Sequence, residues 1–156
     1  MKLKDQNIKQ RHFFIRSYAR LEQLKKALIR IKKEDNINSQ LSVIGKFSNE
    51  KLDKNENELK DYWRTELETT AEFGFFKTPE LGSVFIIGSL TPLFLHEVDG
   101  KVLGAMSTGF YGILRGLGAY KFQAETYLKA LKNGNYLLIL RAFDDELIVL
   151  EELLQS

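Results

Sequence analysis

The sequence contains no cysteine, only two prolines and only two histidines among its 156 residues. The absence of cysteine excludes a disulfide framework, a thiolate metal site and a cysteine nucleophile, and it fits a reducing compartment. Long apolar runs are also missing, since the longest uncharged stretches, residues 81–95 and 102–114, have fifteen and thirteen residues. A bilayer-spanning helix needs about 20 apolar residues, so none is expected. The N-terminus has no apolar run typical of a signal peptide, and we therefore expect a cytoplasmic protein.

Charge is unevenly distributed, although the net charge is only +2. Residues 1–35 carry eleven Lys/Arg against four Asp/Glu, whereas residues 144–156 carry five Asp/Glu and no Lys/Arg. A basic segment suits nucleic acid or anionic lipid as well as an ordinary solvated helix face. The RNP signatures of RNA-binding sheets are absent, so nucleic acid is not expected as a partner. Asp144-Asp145-Glu146 fit the first turn of a final helix, where the helix dipole favours negative charge.

The chain does contain a regular series of apolar patterns. Alternating or wholly apolar segments predict strands over 12–18, 41–47, 84–87 and 136–140. Apolar residues at three- and four-residue spacing predict helices over 20–34, 57–73, 120–132 and from Asp144 onward. We expect an α+β fold of the ferredoxin-like (βαββαβ) type, with a four-stranded antiparallel sheet and helices on one face. The other face would be covered by an inserted helix, by the glycine-rich segment or by a partner subunit. One domain over 11–156 would follow a flexible tail over 1–10, with an inserted helix at 57–73.

Eight of the eleven glycines lie between Gly82 and Gly118. Small residues recur there at four-residue spacing, which predicts one close-packing helix face and a glycine-rich helical hairpin over 90–117. The candidate interface or packing residues are Gly104, Thr108, Gly112 and Gly116. The Thr91 hydroxyl is expected to cap the first helix of the hairpin, and Gly74 to cap the helix before it.

The second half of the chain resembles a known group. Residues 83–142 show a short strand followed by Gly88-Ser89-Leu90, the small-residue hairpin, Leu117-Gly118, and a Tyr…Ala-Leu…Gly helix that leads into an apolar strand. This order is similar to bacterial general-stress (heat-induced stress) proteins and related glycine-rich domains of unknown function. Ser89 stands where that pattern has proline, and Ala119-Tyr120 replaces its Ile-Pro. The resemblance implies a bacterial protein with a stress association, and no particular chemistry.

No motif indicates catalysis or a cofactor. His96, Glu97 and Asp99 do not share metal-ligand spacing, and neither a G-x-S-x-G elbow nor a phosphate-binding glycine loop occurs. We therefore name no catalytic, cofactor-binding or metal residue and expect a non-enzymatic domain that acts through protein–protein contact, as a homodimer or with another protein. Two alternatives remain open. The 90–117 hairpin would insert into a membrane surface, or an apolar pocket lined by Phe85, Phe94, Phe110 and Tyr111 would sense a small ligand.

Overall fold

The structure is a computed structural model that describes residues 10–34, 40–47, 55–106 and 108–155. The predicted tail and most of the loop at 48–57 lie outside these ranges. The strands are β1 (Arg11–Tyr18), β2 (Gln40–Lys46), β3 (Phe73–Thr78), β4 (Gly82–Gly88), β5 (Glu97–Val98), β6 (Lys101–Val102) and β7 (Tyr136–Phe143). The helices are α1 (Leu21–Lys32), α2 (Glu56–Glu66), α3 (Thr91–Leu95), α4 (Gly109–Gly116), α5 (Lys121–Lys132) and α6 (Asp144–Gln155).

The main sheet has five antiparallel strands in the order β1-β7-β2-β4-β3. One row of paired residues crosses all five strands, and its members are Arg16, Leu138, Val43, Ile87 and Phe73. β7 lies inside the sheet, as the unbroken apolar run at 136–140 predicts for a strand covered on both faces. In the described part of the chain, β1 and β3 each pair with one neighbour only, so they form the two edges.

Helices cover both faces of the sheet. The first face, with Leu138 and Leu140 of β7, packs against α1, α2 and α6. The second face, with Leu137 and Ile139, packs against α3, α4 and α5. This division follows from the strand geometry, because successive side chains point to opposite sides of a sheet. An apolar strand such as β7 therefore supplies two separate cores.

The α+β class and the antiparallel sheet are confirmed, whereas a ferredoxin-like arrangement is not. The expectation had four strands and helices on one face, with the other face covered by the inserted helix, the hairpin or a partner. The sheet has five strands instead, and its connecting helices α1 and α5 lie on opposite faces. The chain does contain two interlocked split β-α-β units. β7 lies between β1 and β2, which α1 connects, and β2 lies between β4 and β7, whose connection includes α5.

The predicted helix over 57–73 is too long. α2 ends at Glu66, and Phe73–Thr78 forms edge strand β3, which the sequence pattern did not predict. Gly74 lies inside that strand and does not cap a helix. Glu68 adopts the left-handed conformation after α2 instead, with a φ of 52°. Phe73, Phe75 and Phe76 are typical strand residues, but Gly74 between the first two obscured the pattern, because glycine is unfavourable inside a strand.

The predicted helical hairpin is wrong in its second half. α3 stops at Leu95, and a two-residue β5–β6 hairpin follows, turning at Asp99 and Gly100 with φ values of 53° and 78°. Two positive φ angles define the type I′ turn that Asp-Gly favours. A 3-10 turn at Leu103–Ala105 leads to α4, so no helix covers 101–117. The Thr91 hydroxyl donates to the Glu72 carbonyl at 3.0 Å and does not cap α3.

Candidate functional site

The four-residue series of small residues is distributed over different elements. Gly100 lies in the β5–β6 turn, Gly104 in the 3-10 turn, Thr108 directly before α4, and Gly112 and Gly116 in α4. Only Gly104 is tightly packed, since a Cβ built there would lie 2.9 Å from Cζ of Phe76. A Cβ at Gly112 or Gly116 would meet nothing within 4 Å. The structure therefore assigns packing to Gly104 and exposes the two α4 glycines.

The proposed apolar pocket residues are not brought together. Phe85 lies on the first face of the sheet, where its ring stacks on Trp63 with centroids 3.9 Å apart. Phe94 and Phe110 lie on the second face and pack edge-on at 5.0 Å. Tyr111 is half-buried at the edge of that core, where its hydroxyl accepts a hydrogen bond from Arg115 at 3.2 Å. Phe85 is thus separated from the other three by the sheet itself.

The segment at 90–117 acts as the cover of the second sheet face. Phe94, Phe110 and Leu114 are almost fully buried there. Insertion of these side chains into a lipid surface would require them to leave the sheet. None of the helices within the described ranges combines the length and apolar character that crossing a lipid bilayer requires.

The two histidines lie apart. His12 Nδ1 lies 2.7 Å from Oδ1 of Asp144 in an exposed pair that joins β1 to the start of α6. His96 follows α3 and is exposed. Glu146, in the acidic start of α6, accepts a hydrogen bond from the Phe143 amide at 3.0 Å, as a helix-capping carboxylate does. Among the residues that the structure describes, no three His, Cys, Asp or Glu side chains gather as metal ligands would.

A groove of about 360 Å³ runs along edge strand β1. We call it the β1 groove. Its lining residues are Phe13, Phe14, Ile15, Leu117, Gly118, Ala119, Tyr120, Gln123, Tyr127 and Glu151. Tyr120 borders it and is 69% exposed, and Phe122, two residues further on, is 67% exposed. These are the two most exposed aromatic side chains of the described surface.

A side chain binds one backbone carbonyl in the middle of edge strand β1. The Tyr127 hydroxyl donates a hydrogen bond to the Ile15 carbonyl at 3.1 Å. Edge strands that expose free backbone groups invite pairing with another chain, and a side chain bonded to such a group competes with that pairing. Beside this bond, the β1 groove offers aromatic side chains and Glu151 to a partner.

The sequence pattern missed Tyr120 and Phe122, although a signal exists for Phe122. The apolar stripe of α5 consists of Ala124, Tyr127, Leu128 and Leu131, which pack on the second face. Phe122 lies at the start of that helix and outside the stripe, which is unusual for a large aromatic residue. Tyr120 precedes Ala124 by four residues, in line with the stripe, so its spacing gives no such signal. A base-stacking surface would need its aromatic residues on one face, but Phe13, Tyr18 and Phe47 lie on both sides of the sheet.

Comparison with known proteins supplies no relative. The chain matches no protein-family model, and neither a curated protein nor a solved structure is significantly similar to it. The function must therefore be argued from the surface itself.

Proposed function

We propose that this chain is a non-enzymatic interaction domain that forms a homodimer through the β1 groove. The observation that carries the proposal is the exposure of Tyr120 in that groove, together with exposed Phe122 two residues further along the chain. Single exposed apolar residues are common on any surface. Two large aromatic side chains that are two residues apart and more than 60% exposed are different, because Tyr and Phe are enriched at protein interfaces and contribute strongly to their energetics.

Charge supports a second copy of this chain as the occupant. The β1 groove runs along basic strand β1, which begins at Arg11, and the charged side chain that lines it is Glu151 of acidic helix α6. In a two-fold dimer, the contact of one residue with another is repeated with the two protomers exchanged. Such a dimer would place the basic strand of one protomer against the acidic helix of its partner. A second copy of this chain therefore brings both signs of charge to the contact.

The small-residue interface is proposed only for helix α4. Gly112 and Gly116 are exposed on α4, which precedes Tyr120 by one short turn, so their missing side chains leave that helix open to a close neighbour. The bacterial origin and the stress association rest on the resemblance described above. A distant relation to the ferredoxin-like plan is proposed on the same terms, and the two interlocked split β-α-β units support it.

The test is the light-scattering mass of the full chain together with liposome flotation of the same sample. We expect a mass of twice the 18.0 kDa chain, and no protein floating with lipid. The double variant Tyr120→Ser/Phe122→Ser should be monomeric, with an unchanged far-UV circular dichroism spectrum. Leu93→Ser is the matched control, because Leu93 is 40% exposed but lies on α3, next to the opposite edge strand β3, and does not line the β1 groove.

A monomeric wild-type protein, or a dimer that the double substitution leaves intact, would overturn the homodimer. If flotation depends on Tyr120 and Phe122, these aromatic residues would bind a membrane surface and not a second protomer. That outcome would support the membrane alternative, although through α5 and not through the 90–117 segment.

A further inference from the structure

A second concave site lies on the first face of the sheet, at the other end of β1. It has a volume of about 430 Å³ and is formed where the end of β1, helix α1 and the C-terminal end of α6 meet. We call it the Tyr18 pocket. Its lining residues are Arg16, Ser17, Tyr18, Ala19, Gln23, Lys26, Ala27, Arg30, Leu154 and Gln155. The α1 members lie at i, i+3, i+4 and i+7, which places them on one helix face.

The Tyr18 pocket is strongly positive. Arg16, Lys26 and Arg30 contribute three cations, and no Asp or Glu occurs among the described residues that line it. The C-terminal end of α6 offsets about half a unit of this charge through its helix dipole. Arg30 interacts with this helix end directly, since its Nη1 donates to the Leu153 carbonyl at 3.5 Å. A substantial positive charge remains for a ligand.

The hydroxyl of Tyr18 requires an acceptor. Its oxygen is buried and has no hydrogen-bond partner among the described residues. The three cations around it carry only donors, so they cannot satisfy its O–H group. Burial raises the pKa of Tyr18, and the charges of Arg16 and Arg30 lower it to a lesser extent. The hydroxyl therefore keeps its proton at neutral pH and is available as a donor.

The position of Arg16 also needs an explanation. It stands at the edge of the row that continues through Leu138, Val43, Ile87 and Phe73, where every other member is apolar. An apolar side chain there would extend the core toward α6. The guanidinium brings positive charge to the pocket, and its Cζ lies 5.7 Å from the centroid of the Tyr18 ring.

We propose that the Tyr18 pocket binds the phosphate group of a small phosphorylated molecule. A phosphate carries a charge of about −1.5 to −2 at pH 7 and several acceptor oxygens, whereas a carboxylate carries a single charge. The phosphate therefore matches three cations and a buried hydroxyl donor more closely, and guanidinium groups bind phosphate with two parallel hydrogen bonds. The pocket volume lies within the usual range for small-molecule sites, about 300–1,000 Å³, and leaves room for the rest of the ligand.

The experiment is a calorimetric titration of inorganic pyrophosphate into the full chain at low and at physiological salt. We expect saturable binding to one site per chain. Tyr18→Phe removes only the hydroxyl and should weaken binding about tenfold without lowering the melting temperature, because that hydroxyl has no protein partner to lose. Arg16→Gln and Lys26→Gln should each weaken binding by at least about tenfold.

Lys129→Gln is the matched control, because it removes the same charge from α5 on the opposite face of the sheet. It should leave the pyrophosphate affinity unchanged. The proposal is overturned if the wild-type protein does not bind, if Tyr18→Phe binds as tightly as the wild type, or if Lys129→Gln weakens binding as much as Arg16→Gln. A single-stranded oligonucleotide that binds where pyrophosphate does not would also overturn it.

This inference is independent of the homodimer. The Tyr120→Ser/Phe122→Ser variant should bind pyrophosphate like the wild type even when it is monomeric. Tyr18→Phe should remain dimeric. The two proposals can therefore fail separately.

Discussion

Gly104 lies directly against the ring of Phe76. A Cβ at this glycine would lie 2.9 Å from Cζ of Phe76 and 3.1 Å from both a ring carbon and the carbonyl oxygen of Phe94. Phe76 and Phe94 are buried in the second core, with ring centroids 6.2 Å apart, and the Phe94 oxygen belongs to the backbone, so it cannot rotate away from an added Cβ. The absence of a side chain at Gly104 lets the 3-10 turn close over these two rings.

We therefore expect Gly104→Ala to destabilise the fold by about 1–3 kcal/mol, the usual consequence of overpacking a filled core. Gly112→Ala is the matched comparison, because its Cβ would meet nothing within 4 Å inside a helix. Alanine is favoured over glycine in a helix by about 0.5–1 kcal/mol, so this variant should be more stable than the wild type. Urea denaturation of both variants tests the pair, and equal effects would contradict the assignment.

Tyr127→Phe should remove the hydrogen bond that joins α5 to the edge of β1. The loss of one neutral hydrogen bond lowers the free energy of unfolding by about 0.5–1.5 kcal/mol. Tyr111→Phe is the control, because its hydroxyl hydrogen-bonds the exposed Arg115 side chain, a contact that solvent can replace. Chemical denaturation measures both. A Tyr127→Phe variant as stable as the wild type would show that the Ile15 carbonyl is satisfied equally well without the hydroxyl.

Trp63→Ala should be among the most damaging single substitutions. Trp63 is 2% exposed, and its ring stacks on Phe85 with centroids 3.9 Å apart and packs edge-on against Tyr62 at 5.0 Å. Truncation of a buried tryptophan destabilises a protein by about 3–5 kcal/mol. Trp63→Phe keeps an aromatic ring over Phe85 and should have a smaller effect. Thermal unfolding followed by circular dichroism compares them, and similar losses would mean that the stacked ring itself contributes little.

Stability should fall above about pH 10 because of three tyrosines. Burial raises the pKa of Tyr18, Tyr127 and Tyr136 above the ordinary value of 10.0, and nearby Glu22 and Glu66 add to the shift at Tyr136. The unfolded chain loses these protons first as the pH rises, so it binds fewer protons than the native state. The free energy of unfolding therefore decreases with pH in this window and is unaffected by these groups near neutrality.

Denaturation midpoints from about pH 8 to about pH 11 measure how steeply the free energy of unfolding decreases with pH. The decrease should be shallower in the triple variant Tyr18→Phe/Tyr127→Phe/Tyr136→Phe. Lysines also lose charge in this range in both proteins, so the difference between the two slopes isolates the tyrosines. Parallel slopes would contradict the prediction.

Sequence pattern was most informative where the local signal was strong. The run Tyr136–Leu140 is apolar at every position and lies inside the sheet, and the stripe of α1 that contains Leu24, Leu28 and Ile31 packs on the first face as its spacing predicts. Prediction failed where glycine interrupted the pattern. Gly74 hid strand β3, and the four-residue spacing of small residues predicted a helix over 101–117, where strand β6 and a 3-10 turn precede α4.

The α+β class, most of the strands and helices and the central place of β7 follow from local sequence pattern, because the spacing of apolar residues within a short segment indicates helix or strand and the side that is buried. Other relationships exist only in the folded chain: which face each helix covers, the packing of Gly104 while Gly112 is open, and the convergence of Arg16, Lys26 and Arg30 beside Tyr18. These relationships depend on the register of strands and on contacts between residues as distant as Arg16 and Gln155. No local pattern records such contacts, since they arise only when the two cores close on opposite sides of one sheet.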